Sequence, residues 1–207
     1  MKVTDNLKND ISNAPDWFFK SIESQVKKKK IAMADHAISY QTWGNKKHKN
    51  ILFFIHGTGA HMRWWDPIAP QFSKDSYVIA IDLPGMGDST HRENYSFASF
   101  AEAIIDILNH EELLELDKSI IFVGHSLGGH VAGFVASEHP RIVDYLVMID
   151  TPIRPPDYDY AKHKSTGPLR MIKYYKDKES IINRFRLMPA QECENDWYLR
   201  YIAEHSI

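Results

Sequence analysis

Residues Ser119 to Pro140, SIIFVGHSLGGHVAGFVASEHP, decide how this chain is read. The first five residues form a short apolar run rich in β-branched side chains, the pattern of a buried strand. Helical spacing begins at Leu127 with no spacer, so Ser126 falls on the turn between strand and helix. A turn that sharp leaves almost no room for flanking side chains, which accounts for Gly124 and Gly128 two residues either side of the serine. Beyond it, Gly128, Ala132 and Ala136 recur at i, i+4 and i+8, with Gly129 and Gly133 alongside, so one side of the helix is nearly bare. Such a helix can lie close against a sheet. A phosphate loop would place Lys after its last glycine, and a dinucleotide fingerprint would read G-x-G-x-x-G. Neither is present, and G-x-S-x-G is left as an exposed-serine turn.

Working outward, the same alternation of strands and helices continues on both sides. Ile51 to Ile55 is wholly apolar, the mark of a strand buried on both faces, and it ends on His56-Gly57-Thr58-Gly59. Trp64 and Trp65 follow, then Asp66-Pro67, an expected N-cap with Pro at the first helical position. Tyr77 to Ile81 is another buried strand and closes on Asp82 to Ser89, a loop with two glycines. A helix is expected from Ser96 or Ser99, with Ser99 and Glu102 as a capping box. Val143 to Ile149 is one more apolar strand, ending at Asp150. Ile31 to Met33 and Ala37 to Thr42 read as a hairpin ahead of these. The pattern predicts an α/β fold, a mostly parallel sheet with helices on both faces, whose active site lies beyond the carboxyl ends of the strands.

Residues 1–30 read as an N-terminal helical extension. Phe18, Ile22 and Val26 share a face, and the segment ends in Lys27 to Lys30. A helix lying on a membrane surface would insert Trp17, Phe18 and Phe19 and set the lysines on anionic lipid. Peripheral membrane contact by residues 15–30 is the less favoured reading, because the helix is short and the lysines follow it instead of lining its polar face. A packed helix followed by a solvated charge run is expected.

Composition bounds the function. A chain of 207 residues with net charge −2 and no sustained basic face gives no reason to expect a nucleic-acid partner. One cysteine, Cys193, excludes an internal disulfide framework and fits a reducing compartment. With no apolar run of about 18 residues and no signal-peptide pattern, a cytoplasmic location is expected.

From Ile31 to about Pro152 the motifs, taken in order, resemble those of the α/β-hydrolase superfamily, in the branch with a helical cap after the sixth core strand. Gly124-His125-Ser126-Leu127-Gly128-Gly129 resembles its nucleophile elbow, His56 to Gly59 its oxyanion loop, and Asp82 to Ser89 its loop after the fourth strand. The resemblance divides the chain into the extension 1–30, an incomplete core 31–152 holding the first six strands, and a cap 153–207 behind Pro152, Pro155 and Pro156. It implies acyl transfer through Ser126, with neither cofactor nor metal, on a small-molecule carboxylic ester of small or medium acyl size. The implied oxyanion donors are the backbone N–H groups of Leu127 and Thr58. His125 is expected to serve packing or specificity, His56 to fix the oxyanion loop, and Asp82 to be a structural loop residue.

Asp150 ends the sixth strand, where some members place the acid that orients the base; the commoner site follows the seventh strand. The base of the superfamily follows an eighth strand, and by this resemblance the chain reaches Ile207 within or just after the cap. His163 and His205 are the histidines of that segment and improbable substitutes. The alternative from a different class is a non-catalytic, hydrolase-like binding protein or an inactive fragment.

Overall fold

Strands whose two phases are both apolar bury both faces, and the larger part of the molecule is built on them. The computed structural model of the chain describes residues 11–33, 36–114, 117–159, 175–187 and 193–207. They fall into two compact units. One holds residues 14–151 and Ser206; the other holds residues 11–13, the described part of 152–205, and Ile207.

The larger unit is organised on a six-stranded sheet of order β1-β2-β4-β3-β5-β6. The strands are β1 (Lys27–Ala32), β2 (Ala37–Trp43), β3 (Asn50–Ile55), β4 (Ser76–Ile81), β5 (Ser119–His125) and β6 (Tyr145–Ile149). β1 with β2 and β2 with β4 are antiparallel; the remaining pairs are parallel. Ile51, Phe53 and Ile55 of β3 face one core with Tyr77, Ile79, Ile81 and Phe122, where Phe53 and Phe122 meet at 5.5 Å between ring centres. Phe54 faces a second core with Val78, Ala80 and Val123. Helices α2 (Phe97–His110) and α3 (Leu127–Glu138) cover the first face. Two short 3-10 turns, Met62–Trp65 and Ala69–Phe72, cover the second, with α1 (Asp16–Ile22) packed beside the latter turn.

Several local expectations differ from what forms. Lys27 to Lys30 are not a charge run after a helix; they are most of β1, so the boundary expected at residue 30 cuts through a strand. Helix α1 stops at Ile22, and Phe18 is buried while Trp17 stays 45% exposed. No α-helix starts at Pro67. Pro70, three residues on, has no N–H to donate, and the Asp66 carboxylate is occupied by Gln41 and Arg63 instead of capping a helix. The cap of α2 is Ser96, whose hydroxyl accepts from the Ser99 N–H at 3.0 Å, while Ser99 Oγ accepts from the Ser96 N–H at 3.0 Å. Ser99 thus fills the role expected of Glu102 one turn earlier.

In the smaller unit the described helices are α4 (Lys178–Ile182) and α5 (Asp196–Glu204), and the 3-10 turn Ile11–Asn13 packs on α5. Arg200 of α5 holds Glu179 of α4 through two bonds of 2.7 and 2.8 Å. His163 lies outside the described residues. No described helix is long and apolar enough to cross a membrane.

The two sheet edges differ. β1 shows Lys27, Lys28 and Lys30 to solvent, while Lys29 turns inward to Glu111 at 2.5 Å. Glu111, at the end of α2, also accepts from Tyr40 at 2.5 Å and Tyr77 at 3.0 Å. Burial alone would push the Glu111 carboxyl up; the bonds from Lys29 and Tyr40 outweigh it and hold the group below the usual carboxylate range. β6 is the opposite edge, with Tyr145 65% and Val147 45% exposed and Leu146 and Ile149 also in solvent.

Glu111→Ala removes the acceptor shared by a partly buried ammonium and two tyrosine hydroxyls. It should cost about 3 kcal/mol by denaturant unfolding at neutral pH, the low end for a broken buried pair because Lys29 keeps some water. Since the folded value of Glu111 is depressed, its contribution is complete above the unfolded carboxyl value, about 4.3, and is lost as pH falls through the folded one. The variant should lack that acid limb; a loss under ~0.5 kcal/mol would mean the cluster is solvated.

The β6 edge should make the 207-residue chain self-associate and bind an apolar-surface dye, because unpaired strand groups lie beside uncovered apolar side chains. Val147→Lys should reduce both. A dye-silent monomer by light scattering would contradict this.

Candidate active site

The strand-turn-helix around Ser126 is held by contacts that only glycine permits. Ser126 has φ 51°, a left-handed conformation uncommon for a residue with a β-carbon, and it caps α3. Its N–H donates to Ile149 O of β6 at 3.0 Å, and its carbonyl accepts from Gly129 N–H at 3.0 Å. A β-carbon at Gly124 would overlap the Gly128 carbonyl, and one at Gly128 would overlap the backbone of Ile55 and His56. Both glycines therefore let β5, α3 and the end of β3 approach at backbone distance. Gly129 is packed against the Thr151 side chain, whose hydroxyl reaches Ser126 O at 3.3 Å. Thr151 is part of the elbow support and carries no sequence signal beyond following Asp150.

The loop after β3 lies against this turn. A β-carbon built on Gly57 would sit 3.2 Å from Ser126 Cβ and 2.8 Å from His125 Nδ1. The His125 ring accordingly packs on Gly57. Residues 57–60 close a turn through Ala60 N–H to Gly57 O at 3.2 Å, which leaves Thr58 exposed at its tip. The N–H groups of Thr58 and of Leu127, at the first position of α3, have no partner among the described residues. Two donors without a partner among the described residues thus stand on backbone segments that meet beside Ser126.

His56 is buried and sits between two loops. Its Nε2 accepts from Leu83 N–H at 3.0 Å, so the proton is on Nδ1, which donates to Gly57 O at 2.8 Å. Burial lowers its pKa to about 4, and the ring is neutral at physiological pH. Asp82 is also buried, and its two carboxylate oxygens accept from Met62 N–H at 2.6 Å and Asp88 N–H at 2.8 Å. Neither side chain is hydrogen-bonded to Ser126. Asp150 is exposed at φ 46° at the end of β6, and no histidine among the described residues bonds its carboxylate. No described histidine bonds Ser126 Oγ. His205, at the end of α5, donates from Nδ1 to Tyr201 O at 2.7 Å, since a carbonyl only accepts. No group of three or more metal-ligating side chains occurs among the described residues.

Comparison with known proteins adds to this geometry. The model of the alpha/beta hydrolase family matches residues 52–201. A serine hydrolase-like protein of Danio rerio is 32% identical over 111 residues, covering 54% of this chain and 33% of that protein. The monoacylglycerol lipase ABHD6 of Mus musculus is 29% identical over 116 residues, 56% of this chain and 34% of the relative. Among solved structures, the thioesterase domain from the curacin biosynthetic pathway superposes with a TM-score of 0.57 at 26% identity, covering 68% of this chain and 51% of that one. The aligned region is thus a third to a half of each of these proteins. The family match spans most of the chain and includes the parallel strands from Leu52 of β3 to β6, the strained serine and both loops beside it, and the chain belongs to the alpha/beta hydrolase family.

Proposed function

We propose that the larger unit carries the nucleophile and oxyanion donors of a serine hydrolase acting on carboxylic esters of small or medium acyl size. The observation that carries this is Ser126 at φ 51°, with the Gly57 backbone against its β-carbon and the unpaired N–H groups of Leu127 and Thr58 on the segments that meet there. In this reading Ser126 Oγ adds to the acyl carbon while its proton passes to a base, and the carbonyl oxygen becomes an oxyanion met by the two N–H groups. Collapse breaks the ester C–O bond and the alcohol leaves with a proton. Water then releases the acid from Ser126. The names of the relatives, a lipase and a thioesterase domain among them, support an acyl substrate. Asp150 serves as the acid only if a histidine comes to it. A cytoplasmic location, with the lone Cys193 reduced, belongs to the same reading.

The alternative, a hydrolase-like binding protein or an inactive fragment, is favoured by one observation: no described histidine reaches Ser126 Oγ. Loss of the base alone removes most of the rate while the oxyanion hole and binding still leave roughly 10³ to 10⁴ over water. The two readings separate on an activated short-chain aryl ester given to the 207-residue chain. The hydrolase reading expects slow release of the phenol that Ser126→Ala abolishes. Equal rates in the two proteins would leave the binding reading.

Thr58→Ala keeps the backbone donor and should change the Ser126-dependent rate less than about 3-fold. Thr58→Pro deletes the N–H and should cost about 100-fold to 1000-fold, the measured weight of one such donor elsewhere. Similar losses in both variants would remove Thr58 from the oxyanion site.

A further inference from the structure

The loop carrying Thr58 is tied to the loop after β4 by two buried side chains, His56 at its own start and Asp82 at the end of β4. His56 accepts from Leu83 N–H and donates to Gly57 O, pinning the near side of the 57–60 turn. Asp82 accepts from Met62 N–H on the far side and from Asp88 N–H in its own loop. The loop after β4 is itself anchored to β2: Ser89 Oγ donates to Asp82 O at 2.7 Å and accepts from Ser39 N–H at 2.9 Å, and Thr90 N–H donates to Ala37 O at 2.9 Å. A continuous chain of hydrogen bonds therefore runs from the sheet, through residues 82–90, to the segment 56–62.

We infer that Asp82 is a positioning residue that sets the oxyanion loop against Ser126 by holding Met62 and Asp88 on the two oxygens of one carboxylate. This rests on the serine hydrolase reading and adds a residue that acts on Thr58 through the backbone, without touching substrate. One feature makes the arrangement specific to a carboxylate, and a second packs backbone directly on it. Each oxygen meets an N–H, which an amide cannot reproduce, because one of its two positions is itself a donor. Gly87, at φ 54°, lies on the carboxyl group so closely that a β-carbon there would overlap all three of its atoms.

The same geometry makes the latch responsive to pH. Burial pushes Asp82 up to about 6 in spite of the two N–H bonds, and Asp88 and Asp66 push in the same direction. The other groups packed around this corner are His56 and His61 from the end of β3 and Arg63, which is paired with Asp66. Protonation turns one carboxylate oxygen into a donor and releases one of the two N–H groups. Sign matters here: with the folded value above the ordinary 3.8, the fold becomes less stable as pH rises from about 4 to 6 and is level above. The loop geometry moves the opposite way and is complete only above about pH 6.

Backbone hydrogen exchange, read by peptide mass spectrometry on the full 207-residue chain at neutral pH, tests this without needing turnover. Asp82→Asn and Gly87→Ala should each speed exchange in residues 57–61 at least 10-fold, although Asp82 bonds none of those residues. Glu111→Ala, whose loss of stability arises elsewhere, should not. Acceleration confined to 82–90, or equal acceleration in Glu111→Ala, would overturn the inference. With the aryl ester, the Asp82→Asn chain should lose kcat with KM kept, and should lack the fall in Ser126-dependent rate below about pH 6. If Ser126→Ala changes no rate while the exchange pattern appears as expected, the hydrolase reading fails and the latch stands as a loop device alone.

Discussion

Everything near the candidate site follows from one constraint, a serine forced into the left-handed region between a strand and a helix. At φ 51° Ser126 gives up conformational energy of order 1–3 kcal/mol, which persists only where the surroundings over-determine the turn. Here they do. The N–H of Ser126 is bonded to β6, its carbonyl starts α3, and Gly124 and Gly128 bring α3 and the end of β3 to backbone contact with β5. Leu127, as the first residue of α3, has an N–H with no intrahelical acceptor, and it stands directly beside the serine in the chain.

A rigid serine is of no use beside a loose donor, and the polar side chains of the unit are spent on that problem. His56, Asp82, Ser89 and Ser39 are buried, all hydrogen-bonded, and all at or next to the carboxyl ends of β3 and β4 or along β2. Buried polar groups in a sheet this apolar are costly unless satisfied, and these are satisfied by backbone groups of neighbouring loops. Their effect is to tie two loops, 56–62 and 82–90, to each other and to the sheet. Glu111 solves a different problem beside the next residue of β2, Tyr40, where it ties Lys29 and two tyrosines to the end of α2.

The sequence made legible what depends on nearest neighbours and period. The wholly apolar β3, β4 and β5, the bare face of α3 and the glycines flanking Ser126 are all local patterns with one good solution. It misled where two local signals competed. Four lysines in a row look like a solvated run, yet alternate ones have a use: Lys29 meets Glu111, eighty-two residues away, while its neighbours face water. Asp66-Pro67 has the form of a helix start, but the aspartate is taken by Gln41 of β2, a partner no window of sequence contains. The site was legible to the same degree. Ser126, Gly124, Gly128, Leu127 and Thr58 lie together because they belong to strand ends, whereas the bridging role of Asp82 and the support from Thr151 appear only once the loops are packed.

The two edges of the sheet show how far composition alone can separate positions that topology makes equivalent. Among the described residues, both β1 and β6 have a strand neighbour on one side only. β1 carries lysines whose charge opposes pairing with another strand, the usual protection of an edge that remains an edge. β6 reads YLVMI, apolar in both phases, which is the composition of a strand covered on both faces and paired on both sides. Strands of this composition are stable in water only when something lies over them, so the residues of β6 are suited to a covered position and those of β1 to an exposed one. Ser126 depends on the second edge directly: its N–H is bonded to the last residue of β6, and whatever steadies that strand also steadies the strained turn.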